Sequence, residues 1–347
     1  MSQDRVRRRR FIKTAFPVLL TLSLLLLPLF NDSSYVLSTL VFIGIYSIVT
    51  ISLCLLMGYA GQISLGHAAF YGMGAYGSAI LTVKFGLNPW LALLAAAAFT
   101  ALVAWAIGIP TLKLKEHYLA LATLGFGVIV YIIFTQETAW TGGPSGLSGI
   151  PYLSLGQLTF NNDLSYYYLV WAAVLFTIYL SSNIVNSRIG RALRAIHGSE
   201  TAAEAMGVNT AAYKLQIFVL SAIFASIAGS LYSHYITMIN PSPFGFRMSI
   251  EFVLMAVVGG IASIWGPLVG VSVVIFLTQL LRDLIPLLLP NAGGEMELVA
   301  FGLILSVIMI FMPEGLFRGL MDRWDNPVRY RKAKAPLPSS LWEEDES

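Results

Sequence analysis

The chain has few charged residues and a single cysteine, and both shortages limit what kind of protein it can be. Only 11% of its residues are charged, whereas 57% are hydrophobic and the mean hydropathy is +0.75. Soluble domains carry about a quarter charged residues, so this composition predicts a protein whose apolar surface faces lipid. The lone Cys54 excludes an intramolecular disulfide.

Motifs for catalysis and metal binding are also missing. The four histidines are scattered, and no pair has the spacing of a metal site. The sequence contains no phosphate-binding G-x-x-x-x-G-K-[S/T] loop, no H-E-x-x-H and no G-x-S-x-G. We therefore expect a protein that is not an enzyme and holds no metal. If such a protein performs active transport, the energy must come from an ion gradient or from a separate ATPase.

Apolar blocks of roughly bilayer-spanning length recur along the chain, since a crossing helix needs about 20 apolar residues. They lie near 16–30, 35–57, 64–84, 90–110, 117–136, 166–184, 213–238, 249–261, 264–288 and 296–312. The predicted fold class is all-α, a polytopic membrane bundle of about 8–10 transmembrane segments. The block 249–261 is short, and we expect it to be a half-helix that ends within the protein.

The distribution of basic residues predicts the orientation, because Lys and Arg concentrate in cytoplasmic loops. Four segments hold 18 of the 21 Lys and Arg residues, and with ten crossings all four fall on one side: 1–13, 111–117, 186–214 and the tail after 313. Lys84, Arg247 and Arg282 are the exceptions. We expect both termini to be cytoplasmic.

These patterns give a simple domain organisation. We expect a basic cytoplasmic N-terminus over 1–15 and a transmembrane domain over 16–317, with a cytoplasmic loop at 186–212. The tail 318–347 mixes proline, serine and charge, which predicts a disordered cytoplasmic end.

The cytoplasmic loop contains a short helix with both ends marked. Thr201 and Glu204 have the spacing of a capping box, and Gly207 can close the helix in the left-handed conformation. We therefore predict a helix over 202–206. It is either a docking point for a soluble partner or a connecting helix that lies on the lipid headgroups.

Two glycine-rich interruptions occur in different halves of the chain. The first is GYAGQISLGH at 58–67, and the second runs from 259 to 270. Paired interruptions of this kind indicate a transport pathway, although glycine also serves close helix packing. Glu251 is either a complement to a helix N-terminus or a polar group in the pathway. His67 fits a hydrogen-bonded structural role better than a proton relay.

A stripe of small residues marks the block 213–238. Ser221, Ala225, Gly229 and Ser233 follow one another at a spacing of four. This pattern predicts close approach by a neighbouring helix.

Several short segments within roughly residues 40–318 carry a family resemblance. They are 58–70 (GYAGQISLGHAAF), 117–126 (HYLALATLGF), 141–147 (TGGPSGL), 191–196 (RALRAI), 200–207 (ETAAEAMG), Gly259-Gly260, Gly266-Pro267 and 312–316 (MPEGL). In combination they resemble branched-chain amino acid ABC transporter permeases of the LivM type, in the family of LivH and LivM permeases.

The resemblance implies a set of partners. Such permeases pair with a homologous second permease, LivH-like in this case, in the bacterial inner membrane. Two cytoplasmic ATPase subunits bind ATP and magnesium, so no cofactor is expected in this chain. A periplasmic or lipid-anchored binding protein delivers the substrate. Membrane lipid is a further partner, and no nucleic acid is expected.

The resemblance also implies two groups of functional residues. The coupling group, placed in or beside a groove of the ATPase, is Arg191, Arg194, Glu200, Thr201, Ala202, Ala203, Glu204, Ala205 and Gly207. The pathway group is Gly61, Gln62, Ser64, Gly66, His67, Phe70, Glu251, Gly259 and Gly260.

The expected function is uptake of leucine, isoleucine and valine by alternating access, driven through the coupling helix. An alternative keeps the machinery and changes the cargo to urea, short amides or other amino acids. A further alternative is an ATP-independent channel or carrier, which would leave the capped helix without a use.

Overall fold

Uncharged apolar runs in a membrane favour helices, because a helix satisfies its backbone hydrogen bonds within one segment. A computed structural model describes residues 28, 33–112, 116–156, 158–288, 299, 301–304, 306–307, 310, 315–317 and 319. The predicted N-terminus 1–15 and, apart from residue 319, the tail 318–347 lie outside the described residues.

The described residues form a helical bundle with very little strand. Its helices are α1 (Ser34–Cys54), α2 (His67–Phe85), α3 (Pro89–Thr111), α4 (Glu116–Gln136), α5 (Thr138–Thr141), α6 (Asp163–Asn186), α7 (Arg188–Gly198), α8 (Glu200–Ala205), α9 (Thr210–Ile236), α10 (Phe246–Gly259) and α11 (Gly266–Leu288). A π-helical turn, Leu55–Tyr59, extends α1, and 3-10 turns cover Gly143–Ser145 and Ser242–Phe244.

Four two-residue strands make two small antiparallel pairs. The strands are β1 (Leu147–Ser148), β2 (Ser154–Leu155), β3 (Leu158–Thr159) and β4 (Met238–Ile239). β1 pairs with β4, with Leu147 opposite Ile239, and β2 pairs with β3. The first pair joins the loop before α6 to the end of α9.

Six helical segments in the described part of the chain are long and apolar enough to cross a membrane. They are Ser34–Tyr59, Pro89–Thr111, Tyr118–Gln136, Asp163–Asn186, Thr210–Ile236 and Gly266–Ile285. The predicted polytopic helical membrane bundle is thereby confirmed. The predicted block 16–30, apart from residue 28, and much of 296–312 lie outside the described residues.

The bundle has two ends with different contents. One end, which we call the island end, carries residues 186–209 with α7 and α8. The other, which we call the hairpin end, carries 137–162 and 237–245 with the β1–β4 pair. Lys84 near the end of α2 donates to the Ala139 carbonyl at the hairpin end.

The centre of the bundle is the contact between α2 and α9. The predicted small-residue stripe is buried there, as the structure confirms. A side chain at Gly229 would collide with the Tyr71 carbonyl, and one at Gly74 with the Ser226 carbonyl. Ser230 Oγ donates to the Gly74 carbonyl at 3.0 Å. Small residues thus let the two backbones touch.

The helix α10 is short, as the sequence predicted for this region. Its 14 residues give a length of about 21 Å at 1.5 Å per residue, less than the roughly 30 Å hydrocarbon core. It begins at Phe246, three residues before the predicted 249, and ends at Gly259. Gly259 and Gly270 lie against the neighbouring backbone, so α10 and α11 form a tight helical hairpin.

Candidate functional site

The helix α7 lies along the island end with one apolar side turned inward. Its N-cap is Ser187, whose side chain accepts from the Ile189 N–H at 3.1 Å. Gly190, Leu193 and Ile196 are its buried residues. This amphipathic spacing fixes α7 against the bundle and turns its basic residues outward.

The start of α8 differs from the sequence prediction. The helix covers Glu200–Ala205 and not 202–206, and its N-cap is Ser199, which accepts from the Ala202 N–H at 3.3 Å. The predicted capping box of Thr201 and Glu204 is therefore wrong. Ser199 is extended at φ −164 and lies outside the helix, whereas Thr201 is already helical.

The predicted closure of α8 at Gly207 is confirmed. Gly207 has φ +79, and its N–H donates to the Glu204 carbonyl at 2.9 Å, while the Val208 N–H donates to Ala203 at 3.0 Å. This pair of bonds is a Schellman ending, which satisfies carbonyls that the helix would leave free.

Two side-chain contacts anchor α8 to α9. Glu200 forms an ion pair with Lys214 at 2.5 Å, and Lys214 is nearly buried. Glu204 Oε1 accepts from the Thr210 hydroxyl at 2.7 Å. The helix is thus fixed at its first turn and again near its last.

The remaining surface of α8 is open. Ala203 is the one buried residue of the helix, while Thr201, Ala202 and Ala205 are exposed. Met206, directly after the helix, has 84% of its surface exposed. The exposed Met206 side chain, together with Ala202 and Ala205, forms a small apolar surface at the island end that we call the apolar knob.

The two predicted basic contacts behave differently. Arg191 and Arg194 are both exposed on α7. Arg194 Nη1 also donates to the Val185 carbonyl at 3.0 Å, which places a positive charge at the C-terminal turn of α6 where the helix dipole favours it. The Arg194 side chain therefore stabilises the end of α6 in addition to any contact with a partner.

The two glycine interruptions meet at the island end, in a cluster of residues 58–61 and 259–262 that we call the glycine junction. A side chain at Gly58 would overlap the Ile261 carbonyl, and the Tyr59 hydroxyl donates to the Ala262 carbonyl at 3.3 Å. Gly315 lies directly against the Gly260 backbone, so a side chain at Gly315 would collide with it.

The helix α7 contacts the glycine junction through His197. Its Nδ1 lies 3.1 Å from the Gly58 carbonyl oxygen, and since a carbonyl only accepts, Nδ1 is the donor. Gly61, at φ +69, would place a Cβ 3.3 Å from Cγ of the same ring. The predicted coupling loop and the predicted pathway are therefore in direct contact.

A buried polar cluster follows the glycine junction at the start of α2. His67 lies between Ser64, at 3.1 Å from Nδ1, and Ser221 of α9, at 3.3 Å from Nε2. Gln62 is 3% exposed, and its Oε1 has no hydrogen-bond partner among the described residues. Gly66 lies against the Thr123 carbonyl of α4.

Phe70 is fully buried among the rings of Phe126 and Phe218, at 5.2 and 5.6 Å. His67, 1% exposed, has both ring nitrogens bonded. Both side chains hold helices together in this conformation, and a pathway role for either stays a prediction.

Glu251 occupies a different position from the one that the sequence suggested. The helix α10 begins at Phe246, so no acidic residue lies in its first turn. The capping interpretation of Glu251 is therefore wrong. Its partner is Arg247, whose Nε donates to Glu251 Oε1 at 3.0 Å.

Sequence reasoning missed three residues of this site: His197, Lys214 and Arg247. Arg247 and Glu251 have the i, i+4 spacing of a helical ion pair, so a helix start at 246 would have revealed them. No local signal pointed to His197 or Lys214, because their partners lie far away or on another helix. Within the described ranges, no group of three His, Cys, Asp or Glu residues could hold a metal ion.

Comparisons with known proteins agree with this architecture. The family model described as "Branched-chain amino acid transport system / permease component" matches residues 35–313. The high-affinity branched-chain amino acid transport system permease protein LivM of Escherichia coli (strain K12) is 30% identical over 295 residues, covering 78% of this chain and 67% of that protein. LivH of the same strain is 24% identical over 286 residues, covering 78% and 90%.

A chain in the structure of PsaBC from Streptococcus pneumoniae in complex with Fab is similar to this one over 78% of this chain and 89% of that chain. Its TM-score of 0.40 and 14% identity make this likeness too weak to bear on the site. The family match spans most of the described helices, both glycine interruptions and the island end. The chain is a multi-pass membrane protein and belongs to the family of branched-chain amino acid transport system permease components.

Proposed function

We propose that this chain is a translocation subunit of an ABC importer for leucine, isoleucine and valine. Separate ATPase subunits supply the energy and grip the helix α8 from the cytoplasm. A homologous second permease completes the path, and a binding protein delivers the substrate at the hairpin end. The island end and both termini face the cytoplasm.

The observation that carries this proposal is the form of α8. It is a six-residue helix capped at both ends, exposed on its outer side and anchored to α9 by Glu200–Lys214. A loop that merely joined α6 to α9 would need neither the caps nor the anchors. A channel or carrier would leave this apolar knob without a partner.

The contacts around α8 also supply a route for the motion. The Ser199 N-cap joins α8 directly to the end of α7, and His197 of α7 holds the Gly58 carbonyl. Gly58 lies against Ile261, at the break between α10 and α11. A displacement of α8 by the ATPases therefore reaches both halves of the glycine junction, and this is how we expect alternating access to be driven.

Uptake by the reconstituted transporter tests the function. The chain is placed in liposomes with its partner permease and ATPases, with ATP inside and binding protein and labelled leucine outside. We expect ATP-dependent leucine uptake that valine blocks. Uptake that urea or acetamide blocks instead would indicate a different substrate for the same machinery. Leucine flux that does not depend on ATP would contradict the ABC mechanism.

The coupling role of α8 has its own variant. We expect Glu204→Arg to abolish ATP-driven uptake, because it reverses the charge on the exposed side of α8 that the ATPases are proposed to contact, and a reversed charge disrupts complementarity at an interface. Thr210→Val is the matched control, since it removes the same Glu204–Thr210 hydrogen bond without altering the outer surface. Uptake at the normal rate in Glu204→Arg would show that α8 is not the coupling helix.

A further inference from the structure

The helix α10 carries an ion pair at a depth where charges are rare. Glu251 adjoins Phe252, whose ring lies 5.7 Å from the rings of both Tyr46 and Tyr71. Tyr46 lies near the middle of the 26-residue span Ser34–Tyr59, which is about 39 Å long. Glu251 is therefore near the centre of the bilayer, and Arg247 is one turn closer to the hairpin end.

Both charges face outward from this chain. The Arg247 side chain is 71% exposed and that of Glu251 is 28% exposed. A charged side chain at this depth faces a bundle interior or a water-filled cavity and not lipid. The outer face of α10 thus fits the wall of an aqueous path better than a lipid contact.

Several hydrogen-bonding atoms of the Arg247–Glu251 pair have no partner among the described residues. Arg247 uses Nε for Glu251, and its two terminal amino groups have no partner within the described part of the chain. A guanidinium edge of this kind binds a carboxylate in two parallel bonds. Glu251 Oε2 is likewise free of any described partner, and a carboxylate oxygen accepts from an ammonium group.

The apolar residues beside the pair complete the pattern. Ile250, 37% exposed, and Leu254, partly exposed, lie on the same face of α10 as Arg247 and Glu251. The face therefore presents a positive group, a negative group and an aliphatic patch within two helical turns. An aliphatic amino acid carries the matching carboxylate, ammonium and branched side chain.

We propose that Arg247 and Glu251 form a zwitterion-recognition site on the path, at which Arg247 binds the substrate carboxylate and Glu251 the substrate ammonium. The inference rests on the proposed function and deepens it, because it selects amino acids over urea and short amides, which lack both charges. An exposed i, i+4 ion pair is weak, so the two charges of the substrate replace it readily.

Three probes test the site on the complete transporter in nanodiscs without binding protein. Leucine carries both charges, leucinol lacks the carboxylate, and 4-methylpentanoate lacks the ammonium. Dissociation constants are measured by calorimetry for the native protein, Arg247→Gln and Glu251→Gln. Glu137→Gln is the control, because Glu137 is an exposed carboxylate at the hairpin end.

The native transporter should bind leucine about tenfold or more tightly than either analogue, since each removes a charge-assisted contact. Arg247→Gln should raise the dissociation constant of leucine to about that of leucinol and leave the dissociation constant of leucinol unchanged. Glu251→Gln should raise the dissociation constant of leucine to about that of 4-methylpentanoate and leave the dissociation constant of 4-methylpentanoate unchanged. Glu137→Gln should match the native protein.

Equal weakening of all three probes by either variant would assign the pair a structural role and overturn the site. Unchanged leucine preference in both variants would overturn it as well, as would absence of leucine binding in a native complex that takes up leucine. A native complex that takes up no leucine would instead overturn the proposed function, so the two failures are distinguishable.

Discussion

At residue 61 the backbone turns in a direction that side-chain-bearing residues adopt with difficulty. Gly61 has φ +69, and a Cβ at this position would lie in tight contact with the His197 ring, 3.3 Å from its Cγ. Left-handed backbone costs an L-residue about 1–2 kcal/mol. The turn therefore favours glycine at this position, and the close contact with α7 leaves little room for a larger residue.

We expect Gly61→Ala to lower the free energy of unfolding by about 1–2 kcal/mol and to reduce ATP-driven uptake, because His197 must move. Thermal unfolding of the purified protein and the uptake assay measure the two effects. Gly198→Ala is the control, since no atom lies within 4 Å of its added methyl. Equal effects of both variants would contradict the proposed contact.

The residue scale also shows where a sequence pattern succeeds and where it fails. Gly207 was predictable, because left-handed helix endings are nearly confined to glycine. The N-cap of α8 was not predictable, because Ser199 and Thr201 both carry a hydroxyl group that could cap the helix. The extended backbone at Ser199, set by the end of α7, decides between them.

At the scale of the element, the N-cap makes a direct test of α8. Ser199→Ala should destabilise the helix by about 1 kcal/mol and lower the coupling of ATP hydrolysis to uptake. Thr201→Ala, which removes the predicted cap, should have little effect. The ratio of leucine taken up to ATP hydrolysed measures the coupling, and a larger loss in Thr201→Ala would restore the sequence-based assignment.

The contact between α2 and α9 depends on Gly229. A methyl group there would overlap the Tyr71 carbonyl, so Gly229→Ala should destabilise the protein by about 1–3 kcal/mol through overpacking. Gly125→Ala on α4 is the control, because its added methyl meets nothing within 4 Å. Thermal unfolding in detergent compares them, and equal midpoints would contradict the close packing.

Hydropathy was sufficient to predict the long helices, because a spanning helix must be apolar over its whole length. It was not sufficient for α10. The first turn of α10 contains Arg247 beside Phe246, and a charge at the start of an apolar block looks like a loop residue. The helix accommodates both charges because their side chains lie on an exposed face of the described bundle.

At the scale of the whole molecule, the proposed orientation is testable with single cysteines. In a Cys54→Ala background, Met206→Cys at the island end should react with a membrane-impermeant maleimide only from the cytoplasmic side. Tyr152→Cys at the hairpin end, 41% exposed in the native residue, should react only from outside. The opposite labelling pattern would reverse the proposed topology.

The meeting of the two glycine interruptions was beyond sequence reasoning. Each interruption is visible as a local pattern, but 58–61 and 259–262 are joined by packing between segments about 200 residues apart. The same holds for Lys214, whose burial against Glu200 depends on how α9 enters the bundle. Local patterns predict elements, and long-range contacts follow only from their three-dimensional arrangement.

The anchoring of α8 at both of its ends has a mechanical consequence. Ser199 joins it to α7 without a flexible spacer, and Glu200 and Glu204 fasten it to α9. A flexible loop would bend under an applied force and pass on little of the movement. This connection has little slack, so in the proposed importer a movement imposed on α8 would pass into the bundle with little loss.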